Sequence, residues 1–354
     1  MIFVEFKIGD RLVGDEHPVF IVAEMSCNHL QKYDYAVEII KKAKDAGADA
    51  IKLQTYTPDT MTIDCNNEYF RLDDTIWEGK NLYQLYKEAY TPWEWQPKLK
   101  KIAEEEGLIF FSTPFDRTSV DFLEELDVPV HKVASYEITD IPLIDYIAQK
   151  GKPIIFSIGM ATLTDIELAL STIRKHENND IAVLKCVSAY PTPIEETNLK
   201  TIENIGETFG VVAGLSDHTN TITTAVLSVA LGAKIIEKHL TLDRNLGGPD
   251  APFSLEPDEF KTMVSAVREA EKAIGKTTYT LNKKQQRSRL MARSLFVVKN
   301  MKKGEIFTEE NVKSIRPGYG LHPKHLPEIL GKRAVIDTEY GTPLSWSLVS
   351  KELE

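Results

Sequence analysis

The sequence predicts an α/β protein: a closed (β/α)8 barrel of the TIM type followed by a small β-rich domain. Three observations carry that expectation. Short apolar runs recur along the first part of the chain, helical patterns separate them, and polar residues gather where each run ends.

The runs are PVFIVAE (18–24), ADAIKLQ (48–54), LIFFST (108–113), PVHKVAS (129–135), KPIIFS (152–157), IAVLKCV (181–187), GVVAGLS (210–216) and KIIEKHL (234–240). Most are almost continuously apolar, as strands of a parallel sheet buried on both faces are. Between them lie helical patterns such as YDYAVEIIKKAKDAG, EWQPKLKKIAEEEG, RTSVDFLEELD, IPLIDYIAQKG, LTDIELALSTIRKH and TITTAVLSVALG. Several end in Gly, a frequent helix stop. A spacing of about 25 residues suits one βα unit, and eight units in series suggest a TIM barrel. One interval is longer. Thr55 to Pro92 is rich in aromatic and polar residues. An insertion on a βα loop belongs to the catalytic face, so it is expected to be a wall or lid over the substrate, or else an oligomer contact or surface decoration.

SLEPDEFKTMVSAVREAEKAIG ends the barrel, placing that domain at 1–275. KTTYTLNKKQQRSR has no hydrophobic period and is expected to be a linker, 276–289. Beyond it, SLFVVKNMKKGEIFTEENVKSIRPGYGLHP and KRAVIDTEYGTPLSWSLV are short strands cut by Gly and Pro turns, a second domain at 290–354.

Bulk properties narrow the function. A chain of 354 residues suits a large domain plus a small one. A formal net charge of −11 disfavours nucleic acid and anionic membrane as partners. Cys27, Cys65 and Cys186 lack regular spacing, which argues against a disulfide framework and a Cys-based zinc site. All three are expected to be packing thiols. The start carries charges where a signal peptide is apolar, and no run approaches the ~20 apolar residues of a membrane span. The expected location is the cytoplasm. No Gly-rich P-loop is present, so a nucleotide is not indicated.

Residues that do chemistry in a parallel barrel sit at the C-terminal ends of the strands. Here those ends carry Glu24; Lys52 and Gln54; Ser112 and Thr113; Lys132, Ser135 and Glu137; Ser157; Lys185, Ser188 and Tyr190; Ser216, Asp217 and His218; Glu237, Lys238 and His239. Buried charge without a partner is costly, so Lys52, Lys132, Glu24 and Glu237 are expected to meet one another or a ligand. An ion-pair network closing the barrel top is the bland alternative. The two lysines with hydroxyls at Thr113, Ser135, Ser157 and Ser216 have the composition of a phosphate and carboxylate pocket. His218 and His239 follow neighbouring strands, only ~4.8 Å apart, and could share one Mn2+, Zn2+ or Fe2+ ion. Glu24, Glu137 and Glu237 are candidate acid/base groups, with the proton carrier left open. Trp77, Trp93 and Trp95 are expected to pack in or beside the insertion.

AEMSCNH (23–29), IKLQTYTPD (51–59), FFSTPFD (110–116), HKVASYE (131–137), SIGMAT (157–162), CVSAYPTP (186–193), GLSDHT (214–219) and IEKHLTLDRNLGGPDAPFSLEPDEF (236–260) resemble the sialic acid synthase family. ARSLFVVKNMKKGEIFTEENVKSIRPGYGLHP resembles the antifreeze-like (SAF) domain that ends those enzymes. QTYTPDTMTID, LYQLYKEAYTPWEWQ and GGPDAPFSLEPDEF resemble the family's pseudaminic acid branch. Ser188 stands where the N-acetylneuraminate branch usually has Asn.

The resemblance implies condensation of phosphoenolpyruvate (PEP) with 2,4-diacetamido-2,4,6-trideoxy-altropyranose and water, releasing phosphate. It implies PEP contacts from Lys52, Thr113, Lys132, Ser135, Ser157, Ser188, Tyr190 and Ser216. It assigns Gln54, Asp250 and Arg316 to the sugar and His218 and His239 to a divalent metal, usually Mn2+, with Mg2+ or Co2+ as substitutes. Glu24 matches the acid/base group, with Glu137 and Glu237 nearby. Arg316 implies a domain-swapped homodimer. Three other readings stay open: an N-acetylneuraminate or legionaminate synthase, a Schiff-base pyruvate aldolase using Lys132 or Lys185, and a sugar-binding module.

Overall fold

The structure, a computed structural model, describes residues 4–73 and 75–351. The chain divides into two compact units, one up to Gly275 and one from Lys276 onward.

All eight expected strands form. They are β1 (Phe20–Glu24), β2 (Ala50–Thr55), β3 (Ile109–Pro114), β4 (His131–Val133), β5 (Ile154–Ser157), β6 (Ile181–Lys185), β7 (Val212–Asp217) and β8 (Ile235–His239). They run parallel and close into a barrel in sequence order, with β8 pairing β1. Every residue of β1, β7 and β8 is buried, which is why these runs lack polar alternation. The register fixes the geometry at the barrel mouth. Glu24 sits opposite Lys52 on one side and His239 on the other. Glu237 sits opposite Ser216, and Gln54 opposite Thr113.

Eight helices surround the barrel: α1 (Tyr33–Ala46), α2 (Gln96–Glu105), α3 (Arg117–Glu125), α4 (Ile141–Ala148), α5 (Leu163–Arg174), α6 (Thr201–Phe209), α7 (Thr223–Ala230) and α8 (Pro257–Ile274). Helix α8 packs between α7 and α1 and completes the ring. Helix α6 buries Ile202 and Ile205. A hairpin, Glu5–Ile8 with Arg11–Gly14, buries Phe6, Ile8 and Val13 in the barrel's core.

The long interval after β2 folds as a layer of its own. It holds helices Pro58–Met61 and Leu82–Ala89, the second capped by Asn81 accepting from Gln84 N.

In the second unit, the expected linker is only partly extended. Lys283–Ser288 is a short helix, capped by Asn282 accepting from Gln285 N. None of its residues is buried, so a hydrophobic period could not announce it. Strands β9 (Ser294–Val297) and β10 (Val312–Ile315) pair antiparallel over a small core that includes Leu295, Val297, Phe307 and Ile329. Among the described residues, no helix is long and apolar enough to cross a membrane.

Gly214, mid-strand in β7, shows how tightly the barrel closes. A Cβ there would lie 2.5 Å from the Ile235 carbonyl oxygen and 2.6 Å from Leu184 Cδ2. The carbonyl belongs to a paired strand and has no room to retreat. Gly214→Ala is expected to cost about 2–3 kcal/mol by overpacking, read as a lower urea midpoint with an unchanged m-value.

Candidate active site at the barrel mouth

A cavity of about 500 Å³ opens at the C-terminal ends of the strands. Its floor is charged. Lys52 Nζ lies 2.7 Å from Glu24 Oε2 and 3.5 Å from Glu237 Oε1, and donates to Thr113 Oγ1 at 3.1 Å. All three ionisable groups are buried. Burial works against the ammonium of Lys52, yet the two glutamates outweigh it and raise its pKa. Burial also lifts Glu24 to about 7, against the pull of Lys52. Glu237 is lifted by the same burial, but Lys132 and Lys52 outweigh it and hold it below the usual carboxylate range. Two carboxyls within reach of one ammonium thus differ in proton affinity, the condition under which one can carry a proton and the other stay ionised.

Lys132 is different. It is fully buried, and its ammonium donates only to Ser157 Oγ at 2.7 Å and Val133 O at 3.0 Å. Among the described residues no carboxylate lies within ion-pair distance of it. Burial lowers its pKa, with Glu237 opposing from further off. A buried cation served by neutral oxygens, in a cavity lined also by Ser135, Ser157 and Ser216, is suited to an anionic ligand.

The rim carries the imidazoles. The rings of His218 and His239 are 5.3 Å apart, each packed on Phe253. His218 Nδ1 is 3.3 Å from the Val187 carbonyl, which only an N–H can serve. Cys186 Sγ lies 3.7 Å from the same nitrogen. Burial works against the His218 cation, but Cys186 and Asp217 outweigh it and raise the pKa. In the neutral form Nε2 would carry the free lone pair, as in metal-binding histidines. His239 Nδ1 is buried without a hydrogen-bond partner and lies 3.7 Å from Asp250 Oδ2. Burial, then His218 and the lysines, holds His239 well below its ordinary pKa, in the neutral form a metal requires. Among the described residues no cluster of three or more His, Cys, Asp or Glu forms a ready-made metal site. The two imidazoles therefore fit an ion that takes its other ligands from substrate or water.

Opposite the floor stands an apolar wall from the insertion: Met61, Leu72, Trp77, Leu82, Leu85 and Tyr86. Trp77 Nε1 donates to the Pro249 carbonyl at 3.0 Å, tying the wall to the loop that carries Asp250. The insertion lines the cavity, as expected of a wall. Trp93 and Trp95 do not line the cavity. Trp93 stacks on Phe122 and Trp95 meets Tyr33 and His29 edge-on. Cys27 and Cys186 are buried as expected and also line the cavity, while half-buried Cys65 lies in the insertion.

All the sequence-derived site residues line this cavity except Ser188 and Arg316. Ser188 Oγ is buried and unpaired one step back, beside Ser135. A Cβ on Gly159 would lie 2.2 Å from Ser188 Oγ and 2.9 Å from Ser135 Oγ, so only glycine lets these two serines converge. Arg316 lies in the second unit, exposed just past β10. Four further strand-end residues leave the cavity: Ser112 meets Thr55, Lys185 meets the Cys186 carbonyl, and Lys238 and Asp217 meet each other.

Other contributors lay within the AEMSCNH motif without being singled out as site residues. Ser26 donates to Asp250 Oδ2 at 2.5 Å, and Asn28 holds Leu240 O and Ser254 Oγ. These bonds join the loop after β1 to the loop after β8.

With this geometry in view, comparison with known proteins settles the family. The model of the NeuB family matches residues 39–279, and that of the SAF domain matches 292–350. The chain belongs to the NeuB family. The resemblance seen in the motifs is borne out, as is the barrel with its C-terminal SAF domain. The chain is 46% identical over 329 residues to a pseudaminic acid synthase of Campylobacter jejuni, covering 93% of this chain and 96% of that protein. It is 44% identical to a pseudaminic acid synthase of Helicobacter pylori, covering 95% and 99%. A crystal structure of an N-acetylneuraminic acid synthetase from Leptospira borgpetersenii superposes with a TM-score of 0.72 at 32% identity, covering 81% of this chain and 95% of that one.

Glu137 yields a pH test. Its Oε2 is buried and unpaired, and burial raises its pKa to about 7. A carboxyl raised in the folded state binds its proton more tightly than in the unfolded chain. It therefore erodes stability as pH rises from about 4.5 through 7. Glu137→Gln is expected to leave the melting point near pH 4 unchanged and to stabilise the protein by roughly 2 kcal/mol at pH 8. Thermal melts across this range check it.

Proposed function

We propose that this chain is a pseudaminic acid synthase. It condenses PEP with 2,4-diacetamido-2,4,6-trideoxy-altropyranose and water, giving pseudaminic acid and phosphate. The observation that carries the reading is Lys132, a buried ammonium with no carboxylate partner in a ring of hydroxyls.

In this mechanism Lys132, Lys52 and the hydroxyls of Thr113, Ser135, Ser157 and Ser216 bind the phosphate and carboxylate of PEP and orient its C3 carbon. Ser188 and Tyr190 complete that pocket. The open-chain sugar lies between Gln54, Asp250 and the insertion's apolar wall, which suits acetamido methyls and a deoxy carbon better than a polyol or phosphate end. C3 attacks the aldehyde, water adds at C2, and phosphate leaves by C–O cleavage. Glu24, with a pKa near 7, is placed to hold or release the proton at its carboxyl oxygen, while Glu237 stays ionised and balances the lysines. Glu137 is a second titrating carboxyl on the cavity wall. Holding both substrates in attack geometry supplies much of the rate. A divalent ion, Mn2+ in this reading, held by His218 and His239, would supply Lewis-acid polarisation of the sugar aldehyde. The assembly proposed is a cytoplasmic, domain-swapped homodimer in which Arg316 reaches the sugar of a partner's barrel.

The deciding experiment is a substrate panel. Phosphate release is followed with PEP, Mn2+ and each candidate sugar, with chelator-treated enzyme alongside. The expected result is turnover with the diacetamido-trideoxy-altropyranose, lost on chelation and restored by Mn2+. Preference for N-acetylmannosamine or the legionaminate precursor would reassign the product. Borohydride trapping of pyruvate on Lys132 or Lys185 would replace the mechanism with a Schiff-base aldolase.

Lys132 supplies a second, separable check. Lys132→Met removes an unpaired buried charge, so the free protein is expected to melt at the same temperature or higher. PEP affinity, by isothermal titration, is expected to fall at least about 30-fold.

A further inference from the structure

Behind the histidine pair lies a second buried ion pair that the chemistry does not touch. Asp217 and Lys238 immediately precede His218 and His239. Side chains alternate along a strand, so this pair faces away from the cavity, and neither residue lines it. Lys238 is fully buried and Asp217 nearly so. The ammonium of Lys238 donates to Asp217 Oδ2 at 2.8 Å, to Thr221 O at 3.2 Å and to the Thr219 carbonyl. Asp217 in turn accepts from Thr219 N at 2.9 Å and from Thr224 Oγ1, on α7, at 2.7 Å. Both backbone polar groups of Thr219 are thus gripped by one ion pair.

His218 needs such a grip. It lies one residue past the last ladder residue of β7, outside the sheet's own hydrogen bonds. His239 lies inside β8, held in register with β1. The His218 carbonyl accepts from Thr192 N at 3.0 Å and its Nδ1 meets Val187 O, both in the segment after β6, so its tie toward β8 comes through the turn that follows it. Lys238 makes that tie directly. A buried ion pair is a poor source of stability, since an apolar pair of like volume often does as well. What it supplies here is a fixed direction: one ammonium on β8 gathers four oxygens of the segment 217–221, from Asp217, Thr219 (carbonyl and hydroxyl) and Thr221.

We propose that Asp217 and Lys238 are positioning residues that set the distance between His218 and His239 for a single divalent cation. The proposal rests on the reading of those histidines as metal ligands.

The test titrates Mn2+ into the full-length protein and reads free Mn2+ by electron paramagnetic resonance. Melting temperature and PEP affinity are measured in parallel. Asp217→Asn is expected to weaken Mn2+ binding about tenfold or more in protein that still melts cooperatively and keeps its PEP affinity. A purely structural role predicts the reverse, a lower melting point with unchanged Mn2+ affinity, and that result overturns the proposal. If Asp217→Asn does not fold, Thr224→Val removes the bonds of Thr224 Oγ1 to Asp217 Oδ2 and Thr219 Oγ1 and keeps the ion pair. It is expected to weaken Mn2+ binding by about threefold or more, with Thr224→Ser restoring it. No change in Thr224→Val overturns the proposal. His239→Ala separates the two claims. If it leaves Mn2+ uptake unchanged, the metal reading falls and this proposal with it. If it abolishes uptake while the Asp217 and Thr224 variants bind normally, only the positioning role falls.

Discussion

The site depends on one electrostatic imbalance. Strands buried on both faces leave no place for charge except their ends, so the barrel mouth collects it. There Lys52 is neutralised by Glu24 and Glu237, at 2.7 and 3.5 Å, while Lys132 has only two neutral oxygens. In a low-dielectric cavity such an ammonium is stable only to the extent that an anion or its own deprotonation relieves it. The lowered pKa of Lys132 and the raised pKa of Glu24 are two consequences of the same burial. A protonated Glu24 leaves the floor short of negative charge, and a phosphate with a carboxylate would supply it.

The rest of the cavity is arranged around that floor. The described residues of the insertion give it a mainly apolar wall, with Thr75 and no cation, so the two sides ask for chemically opposite ends of their ligands. Trp77 Nε1 on the Pro249 carbonyl and Ser26 on Asp250 make the wall, the loop after β1 and the loop after β8 one hydrogen-bonded frame. Asp250 also faces His239 at 3.7 Å. A change in the wall is therefore transmitted by contact to the histidine pair, even though the wall stands opposite the charged floor.

How much of this was legible in the sequence follows from periodicity. The eight strands were legible because a doubly buried strand has no polar residues except at its end, and those residues marked the site as well. Parity was not legible. Glu237 and Lys238 are neighbours, and the pleat sends the first into the cavity and the second behind it. Sequence gives both residues and not the phase. Ser112 and Thr113 divide in the same way. The helix at Lys283–Ser288 was faint because none of its residues is buried, so it has no apolar spacing to show. Gly159 lay within a recognisable motif. Its role is the space its missing side chain leaves for Ser135 and Ser188, which no residue pattern encodes.

Stability and function also pull apart here in a specific way. Lys132, Glu137 Oε2, Ser188 Oγ and His239 Nδ1 are buried and under-satisfied in the free protein. Each lowers stability, and each faces or borders the cavity. The barrel tolerates them because its strand ladder is closed, with no edge. A ligand that satisfies several of these groups at once binds the folded state alone and raises its stability by mass action. The groups most unfavourable to the free enzyme are therefore those with most to gain from substrate. This also explains why the Asp217–Lys238 pair, fully satisfied though equally buried, belongs to the scaffold rather than to the ligand.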